Sequence, residues 1–233
     1  SLHGGGRARK SALIGAGKTG RYVKDLAGSE DRVTVFDEFN KPDAERLSES
    51  DVAIIFVPGR AAGELIAPVL ESGIPAAWGT TGYDWPEDLP ERVRTAGTRW
   101  ILASNFSLGM HLVRRSIQII VRGADLLKDP GFHIHEIHHT DKLDAPSGTA
   151  LSWKEWLGKE EAQITSSREG DVKGIHSLHV KTDYESIQIR HEAHDRAVFA
   201  HGALWAARFL IENRSVEPGV YPIESIIDLA FNL

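Results

Sequence analysis

The chain has 233 residues, enough for one large domain or two small ones at about 150 residues per domain. With 41% apolar and 26% charged residues it has the balance of a folded globular protein, which excludes a disordered or fibrous chain. A net charge of -6 is the wrong sign for a nucleic-acid surface, and a count of zero cysteines removes disulfides, thiolate zinc sites, iron–sulfur clusters and catalytic thiols. No run approaches the roughly 20 apolar residues that cross a bilayer, and the opening SLHGGGRARK lacks the apolar core of a secretory signal. The expectation is a cytoplasmic protein without a membrane or nucleic-acid partner. Its Gly4-Gly5-Gly6 run, followed by Arg7, Arg9 and Lys10, reads as a flexible leader outside the fold.

Short apolar runs bounded by turn residues fall at Ser11 to Ile14, Val33 to Phe36, Val52 to Val57, Ala76 to Trp78 and Trp100 to Ala103. Gly20 to Ala27 and Ala61 to Ser72 carry helical spacing between them, the second stopped by Gly73-Ile74-Pro75. That rhythm is βαβα, and consecutive apolar residues such as Ala53-Ile54-Ile55-Phe56-Val57 suit strands buried on both faces. The fold class expected is α/β, a Rossmann-type doubly wound parallel sheet, followed by a second α+β domain. That second unit opens with a long helix over Leu108 to Leu127, ended by Lys128-Asp129-Pro130-Gly131. Phe132 to Ile137, Ile175 to Val180 and Ser186 to His191 alternate apolar and polar residues, which predicts an open mixed or antiparallel sheet with one buried face. Helices follow at Thr149 to Leu157, Ala197 to Glu212 and Ile223 to Phe231. The domains expected are 1–105, joined again by 213–233, and 106–212, with the reaction in the cleft between them.

The first chemical motif is Gly15-Ala16-Gly17-Lys18-Thr19-Gly20, a G-x-G-x-x-G between the first strand and the first helix. There the glycines allow a tight turn and close approach to a pyrophosphate, whose charge meets helix N–H groups. Asp37, ending Val33-Thr34-Val35-Phe36-Asp37, stands at about the 20-residue distance expected of the acid that holds the ribose hydroxyls. Gly17-Lys18-Thr19 also looks like the end of a triphosphatase phosphate loop, but Leu13 and Ile14 would then fall inside the loop rather than in the strand before it. Asp37 has no neighbouring Arg to meet a 2′-phosphate, which favours NADH, with Lys41 leaving NADPH as a second donor.

The second motif is Glu136-Ile137-His138-His139-Thr140-Asp141-Lys142-Leu143-Asp144-Ala145-Pro146-Ser147-Gly148-Thr149-Ala150. Its Pro-Ser-Gly-Thr opens a helix whose N-terminus suits a carboxylate, or is an ordinary cap, and Lys142 adds charge beside it. This segment resembles the dihydrodipicolinate reductase family pattern E-x-H-H-x-x-K-x-D-A-P-S-G-T-A, matched at every specified position. Gly79-Thr80-Thr81-Gly82-Tyr83-Asp84 and Ser104-Asn105-Phe106-Ser107-Leu108-Gly109 are similar to that family's G-T-T-G-F-D and A-N-F-S-V-G. His191-Glu192-Ala193, Arg196, Phe199-Ala200 and Gly202-Ala203 look like its C-terminal pattern, so the resemblance runs from about Ser11 to Leu233. The glycine loop is one residue shorter than in better-known relatives, and Lys159 to Ser177 is abbreviated.

The resemblance implies reduction of 4-hydroxy-tetrahydrodipicolinate in lysine and diaminopimelate biosynthesis. It makes His138 and Lys142 the catalytic residues, His138 as the general acid and Lys142 as a partner that orients the substrate or supplies a proton. It further implies that Ser147, Gly148 and Thr149 bind one substrate carboxylate, that His139 contacts the substrate, and that Gly79, Thr80, Thr81, Ser104, Asn105 and Phe106 line the nicotinamide side. Arg196 could meet the second carboxylate or be a solvated surface residue. A homotetramer assembled through the second domain's sheet is implied as well. His133, His135, His138 and His139 invite a metal reading, but adjacent strand side chains point apart, so no metal is expected. Two other readings are a related nicotinamide-dependent amino- or imino-acid dehydrogenase and a non-catalytic NADH-binding sensor. The acid and the lysine that a sensor would lack are both present.

Overall fold

The computed structural model describes residues 7–15 and 17–233, so the leader through Gly6 and the loop residue Ala16 lie outside the described residues. The chain divides into two compact units, one running up to Phe106 and including Phe199–Leu233, the other Ser107–Val198.

In the first unit, strands β1 (Arg9–Ile14), β2 (Asp31–Phe36), β3 (Val52–Ile55), β4 (Ala76–Trp78), β5 (Arg99–Leu102) and β10 (Gly219–Pro222) form one sheet in the order β10-β5-β4-β3-β1-β2. Every pair is parallel, and Ile14 stands opposite both Phe36 and Ile55, so the carboxyl ends of β1, β2 and β3 line up. Ile14, Ile55, Trp78 and Trp100 join one core with Leu65, Ile66 and Val69 of helix α3 (Gly59–Ser72), while Leu13, Ile54, Ala77 and Ile101 are buried at the intervening positions. Both faces are covered, which is why these strands read as unbroken apolar runs. Short helices α1 (Gly20–Leu26), α2 (Ala44–Leu47) and α4 (Leu89–Thr95) fill the other crossovers. The sequence reading contains neither α2 nor α4, and it misses β10, a four-residue edge strand that ends in Pro222. Helix α8 (Ile223–Phe231) lies in this unit, as does most of α7 (Ala197–Glu212).

The placement of α7 differs from the expected boundary at residue 212, and small residues explain it. A Cβ on Gly202 would lie 1.7 Å from the carbonyl oxygen of Phe106, so the helix backbone packs directly on the end of the β5 loop. Arg208 then reaches Asp31 on β2 at 2.9 Å, where Arg9 also binds at 2.7 Å. Burial pushes the Asp31 carboxyl up, but the two guanidiniums outweigh it and hold the group below its ordinary range.

The second unit is a four-stranded mixed sheet in the order β7-β6-β8-β9, from β6 (Gly131–His138), β7 (Gln163–Arg168), β8 (Ile175–Lys181) and β9 (Ser186–Glu192). β7 runs parallel to β6, and the other two pairs are antiparallel. Helices α5 (Leu108–Gly123) and α6 (Gly148–Leu157) cover one face, burying Met110, Ile117, Ile134, Trp153, Leu157, Leu178 and Val180 in one core. α5 gives way to a 3₁₀ turn over Ala124–Leu126 instead of running to Leu127. The period of two along β6 sends Phe132, Ile134, Glu136 and His138 inward, and leaves His133, His135 and Ile137 half-buried on the other face.

Candidate active site

The alternation that buries Ile134 also carries two polar residues into the same interior. Glu136 is 0% exposed and His138 8%, and across the strand pair Glu136 faces His176, 3% exposed. A buried carboxylate must be paired, and this one is paired on both oxygens. Oε1 accepts from Arg168 Nη2 at 3.0 Å and from the Ser147 backbone N–H at 3.3 Å, and Oε2 is bonded to His138 Nδ1. Burial alone would raise the Glu136 carboxyl, but Arg168, the Ser166 hydroxyl and His138 hold it at about 2, so it stays charged.

His138 is pushed below its ordinary value by burial, against the upward pull of Glu136, with Lys142 and Arg168 adding to the downward push. Its ring packs edge-on to His176 at 5.0 Å. Burial, with His138 as the next cause, brings His176 down to about 3, so this second imidazole is neutral at ordinary pH. Its Nε2 lies 3.0 Å from Ser147 Oγ, which caps α6 by accepting the Ala150 N–H at 3.1 Å. The Ser147 hydroxyl is therefore turned into the protein, and the exposed start of that helix is Gly148, with half-buried Thr149 next.

Arg168 gathers the rest of the motif. Besides Glu136 it donates to the carbonyl oxygens of Lys142 at 3.2 Å and Asp144 at 2.5 Å, tying the loop after β6 to β7. Lys142 Nζ lies 2.9 Å from Asp144 Oδ1 on that loop. The Asp171 carboxyl is held below its ordinary range mainly by Lys173, with Arg196 and His139 also pulling, so those two predicted residues border the loop between β7 and β8. His139 is half-buried, on the opposite side of the strand exit from buried His138.

Glu136, His138 and His176 have the make-up of a cation site. The Arg168 guanidinium already neutralises that carboxylate, and His138 occupies its second oxygen, so the cluster is built as a closed charge network.

In the first unit the predicted nucleotide residues collect at the carboxyl ends of the strands. Gly15 follows β1 with φ +99°, and a Cβ there would lie 2.0 Å from the Phe56 carbonyl oxygen; a Cβ on Gly20 would lie 2.1 Å from the Gly15 carbonyl. Only glycine fits either place, while Gly17 faces open space and Lys18 and Thr19 lead into α1. Gly79 and Thr80 follow β4, and Thr81 is exposed beyond them. Thr80 Oγ1 is buried with no hydrogen-bond partner among the described residues, an orphaned hydroxyl of the kind a bound ligand satisfies. Ser104, Asn105 and Phe106 follow β5, with the Phe106 ring edge-on to Phe56 at 5.8 Å. The cradle, the orphaned hydroxyl and the glycine clearances together fit a dinucleotide.

Asp37 Oδ1 accepts the N–H groups of Phe39 and Asn40, both at 2.8 Å, so one carboxylate oxygen closes its own turn. Although no arginine adjoins Asp37 in sequence, the fold brings Arg46 to this turn. Its guanidinium stacks 4.9 Å over the Phe36 ring and donates to Asn40 Oδ1 at 2.6 Å and to the Lys41 carbonyl at 3.1 Å.

Residues 109–227 match the model of a family described as dihydrodipicolinate reductase, C-terminus. The chain belongs to the dihydrodipicolinate reductase family. A 4-hydroxy-tetrahydrodipicolinate reductase of Christiangramia forsetii is 31% identical, covering 94% of this chain and 98% of its own. One from Haloarcula marismortui is 32% identical over 93% of this chain and 94% of its own. The solved structure of a dipicolinate-bound dihydrodipicolinate reductase from Paenisporosarcina sp. TG-14 shares the fold, with TM-score 0.70, 21% identity, and coverage of 94% of this chain and 99% of that one. As a member of this reductase family the protein is an oxidoreductase.

Four features of the candidate site escaped the sequence reading: Arg168, His176, the structural part played by Glu136, and Gly174, where a Cβ would stand 3.2 Å from His138 Nε2. Glu136 stands two residues from His138 on a strand of period two, a signal present in the motif. Arg168 and His176 lie in or beside the abbreviated stretch, and no local pattern connects them to it.

Proposed function

We propose that the protein reduces 4-hydroxy-tetrahydrodipicolinate, a cyclic imine dicarboxylate, to tetrahydrodipicolinate in the diaminopimelate route to lysine; the 4-hydroxyl leaves as water to give the conjugated ring, to which one hydride and one proton are then added. The observation that carries this reading is the buried Glu136–His138 pair beside Lys142 at the open start of α6, within a motif matched at every position. Gly15, Gly17, Lys18, Thr19 and Gly20 would hold the pyrophosphate, with Ala16 between them. Asp37 would hold the adenosine ribose, and Gly79, Thr80, Thr81, Ser104, Asn105 and Phe106 the nicotinamide side. A bound reduced nicotinamide supplies the hydride.

The protein supplies the charge and the proton. Gly148 and Thr149, at the positive end of α6, receive one substrate carboxylate, and Ser147 contributes through the turn it caps. Lys142 orients the ring, and His139 and Arg196 meet the rest of the dianion. His138 is neutral at rest; the approach of a dianion favours its charged form, and the proton it then carries passes to the ring carbon left electron-rich by hydride addition. The proposal includes NADH as preferred donor with NADPH accepted, and a homotetramer built on the sheet of the second unit, where Gln188 and Arg190 are exposed in the single chain.

The test couples the protein to a synthase that makes the substrate from pyruvate and aspartate semialdehyde, with NADH and NADPH in separate cuvettes. Synthase-dependent loss of nicotinamide absorbance is the expected result. A folded sample that binds NADH but oxidises neither donor overturns the substrate assignment.

A further inference from the structure

We propose that Glu136 is the positioning residue of the proton transfer: anchored by Arg168 and the Ser147 N–H, it keeps a proton on His138 Nδ1 and so makes Nε2, beside Gly174, the atom that takes up and releases the transferred proton. This rests on the reading of His138 as proton donor.

An ionised carboxylate only accepts hydrogen bonds. Both Glu136 oxygens are occupied, Oε1 by two donors from Arg168 and Ser147 and Oε2 by the imidazole, so the Nδ1 side of that contact must carry the hydrogen. A neutral His138 then has its lone pair on Nε2, and a charged His138 can release a proton only from Nε2, because the Nδ1 proton is held by a fixed negative charge. The ring cannot turn to exchange its nitrogens without stripping the buried carboxylate of a partner.

Two neighbours fit this role. A Cβ on Gly174 would stand 3.2 Å from His138 Nε2, at a backbone φ of +150°, so glycine keeps the space at that nitrogen clear. His176 packs 5.0 Å from the His138 ring and stays neutral, which spares the charged form of His138 a like-charged neighbour on its buried side. The remaining cations around the ring, Lys142 and Arg168, are each committed, to Asp144 at 2.9 Å and to Glu136 at 3.0 Å. The arrangement follows the logic of a triad, in which a buried acid orients the imidazole without being protonated itself.

The test is the tautomer of His138 read by nitrogen-15 NMR, assigned by the signal missing in His138→Gln. The unsubstituted protein at neutral pH should show one species, protonated at Nδ1 and bare at Nε2; an Nε2–H species there overturns the proposal whatever any variant does. In Glu136→Gln the tautomers should mix and kcat fall by roughly 10²-fold or more at little change in KM. Glu136→Asp, which restores the charge, should recover part of both. Gly174→Ala should lower kcat while leaving the Nδ1–H tautomer intact. A single Nδ1–H tautomer with an unchanged pH profile in Glu136→Gln refutes the positioning role. Full activity of His138→Gln removes the proton-donor reading instead, and the tautomer result separates the two failures.

Discussion

His176 should govern much of the acid sensitivity of the second unit. In the unfolded chain a histidine titrates near 6.5, whereas the folded structure holds His176 at about 3. A depressed histidine binds its proton more weakly in the folded state, so stability is full above the unfolded value and is lost as pH falls through the interval from about 6.5 to 3. Between pH 7 and pH 5 the unfolded imidazole gains its proton and the folded one does not, which costs roughly 2 kcal/mol. His138, His191 and His133 are also held below their ordinary values, first by burial in each case, and push in the same direction. Glu136, held at about 2, adds its own loss only below the unfolded carboxylate range. The perturbation is His176→Gln, whose amide oxygen can still accept from Ser147. The assay is urea unfolding at pH 7 and pH 5, with hydrogen exchange of β6 and β8 to assign the transition to this unit. The substitution should cost stability at pH 7 through the lost packing on Trp153, 5.7 Å from the ring, yet shrink the pH 7 to pH 5 difference by roughly 2 kcal/mol. An unchanged pH difference in the variant refutes the assignment of a deeply depressed imidazole.

His138→Gln should lower turnover by roughly 10²- to 10⁴-fold with NADH affinity unaltered, as measured by steady-state kinetics alongside fluorescence titration of the cofactor. Arg46→Gln should raise KM for NADPH and leave KM for NADH nearly unchanged, since the guanidinium stands by the Asp37 turn; equal effects on both donors would remove Arg46 from 2′-phosphate recognition. Asp31→Asn should cost about 1–2 kcal/mol, discounted because Arg208 is 40% exposed, and lower Tm by roughly 2–6 °C. Because the Asp31 carboxyl is held below its ordinary range, that contribution is present above the unfolded value and fades as pH falls through the folded one, so the variant and the unsubstituted protein should converge in strong acid.

The elements most legible in sequence are those whose side chains repeat the local geometry. β3 and β4 are apolar at every position because helices cover both faces, and β6 alternates because only one face is covered. The elements that escaped carry no such repeat. β7, with the sequence Gln-Ile-Thr-Ser-Ser-Arg, is an exposed edge strand with nothing to bury but Ile164, and β10 has four residues. Both exist because a neighbouring strand offers its backbone, β6 in one case and β5 in the other. α7 is clear as a helix, yet its partner is not, since an Ala- and Gly-rich surface fits whatever backbone comes closest, and here that is Phe106.

At the candidate site, the sequence by itself determined which groups are on offer: glycines between the first strand and the first helix, an acid after the second strand, and a histidine, lysine and helix start within fifteen residues. Spacing along one segment carries that information because the segment is the strand exit, loop and helix that form the site. Only the tertiary structure decided how those groups are charged and aimed. Arg168 arrives from β7, His176 from β8 and Arg46 from nine residues beyond Asp37, and each acts through a distance of a few ångströms that no spacing encodes. Protonation follows from burial and from neighbours in space, so the state of His138 was settled by the packing of three strands and one helix start.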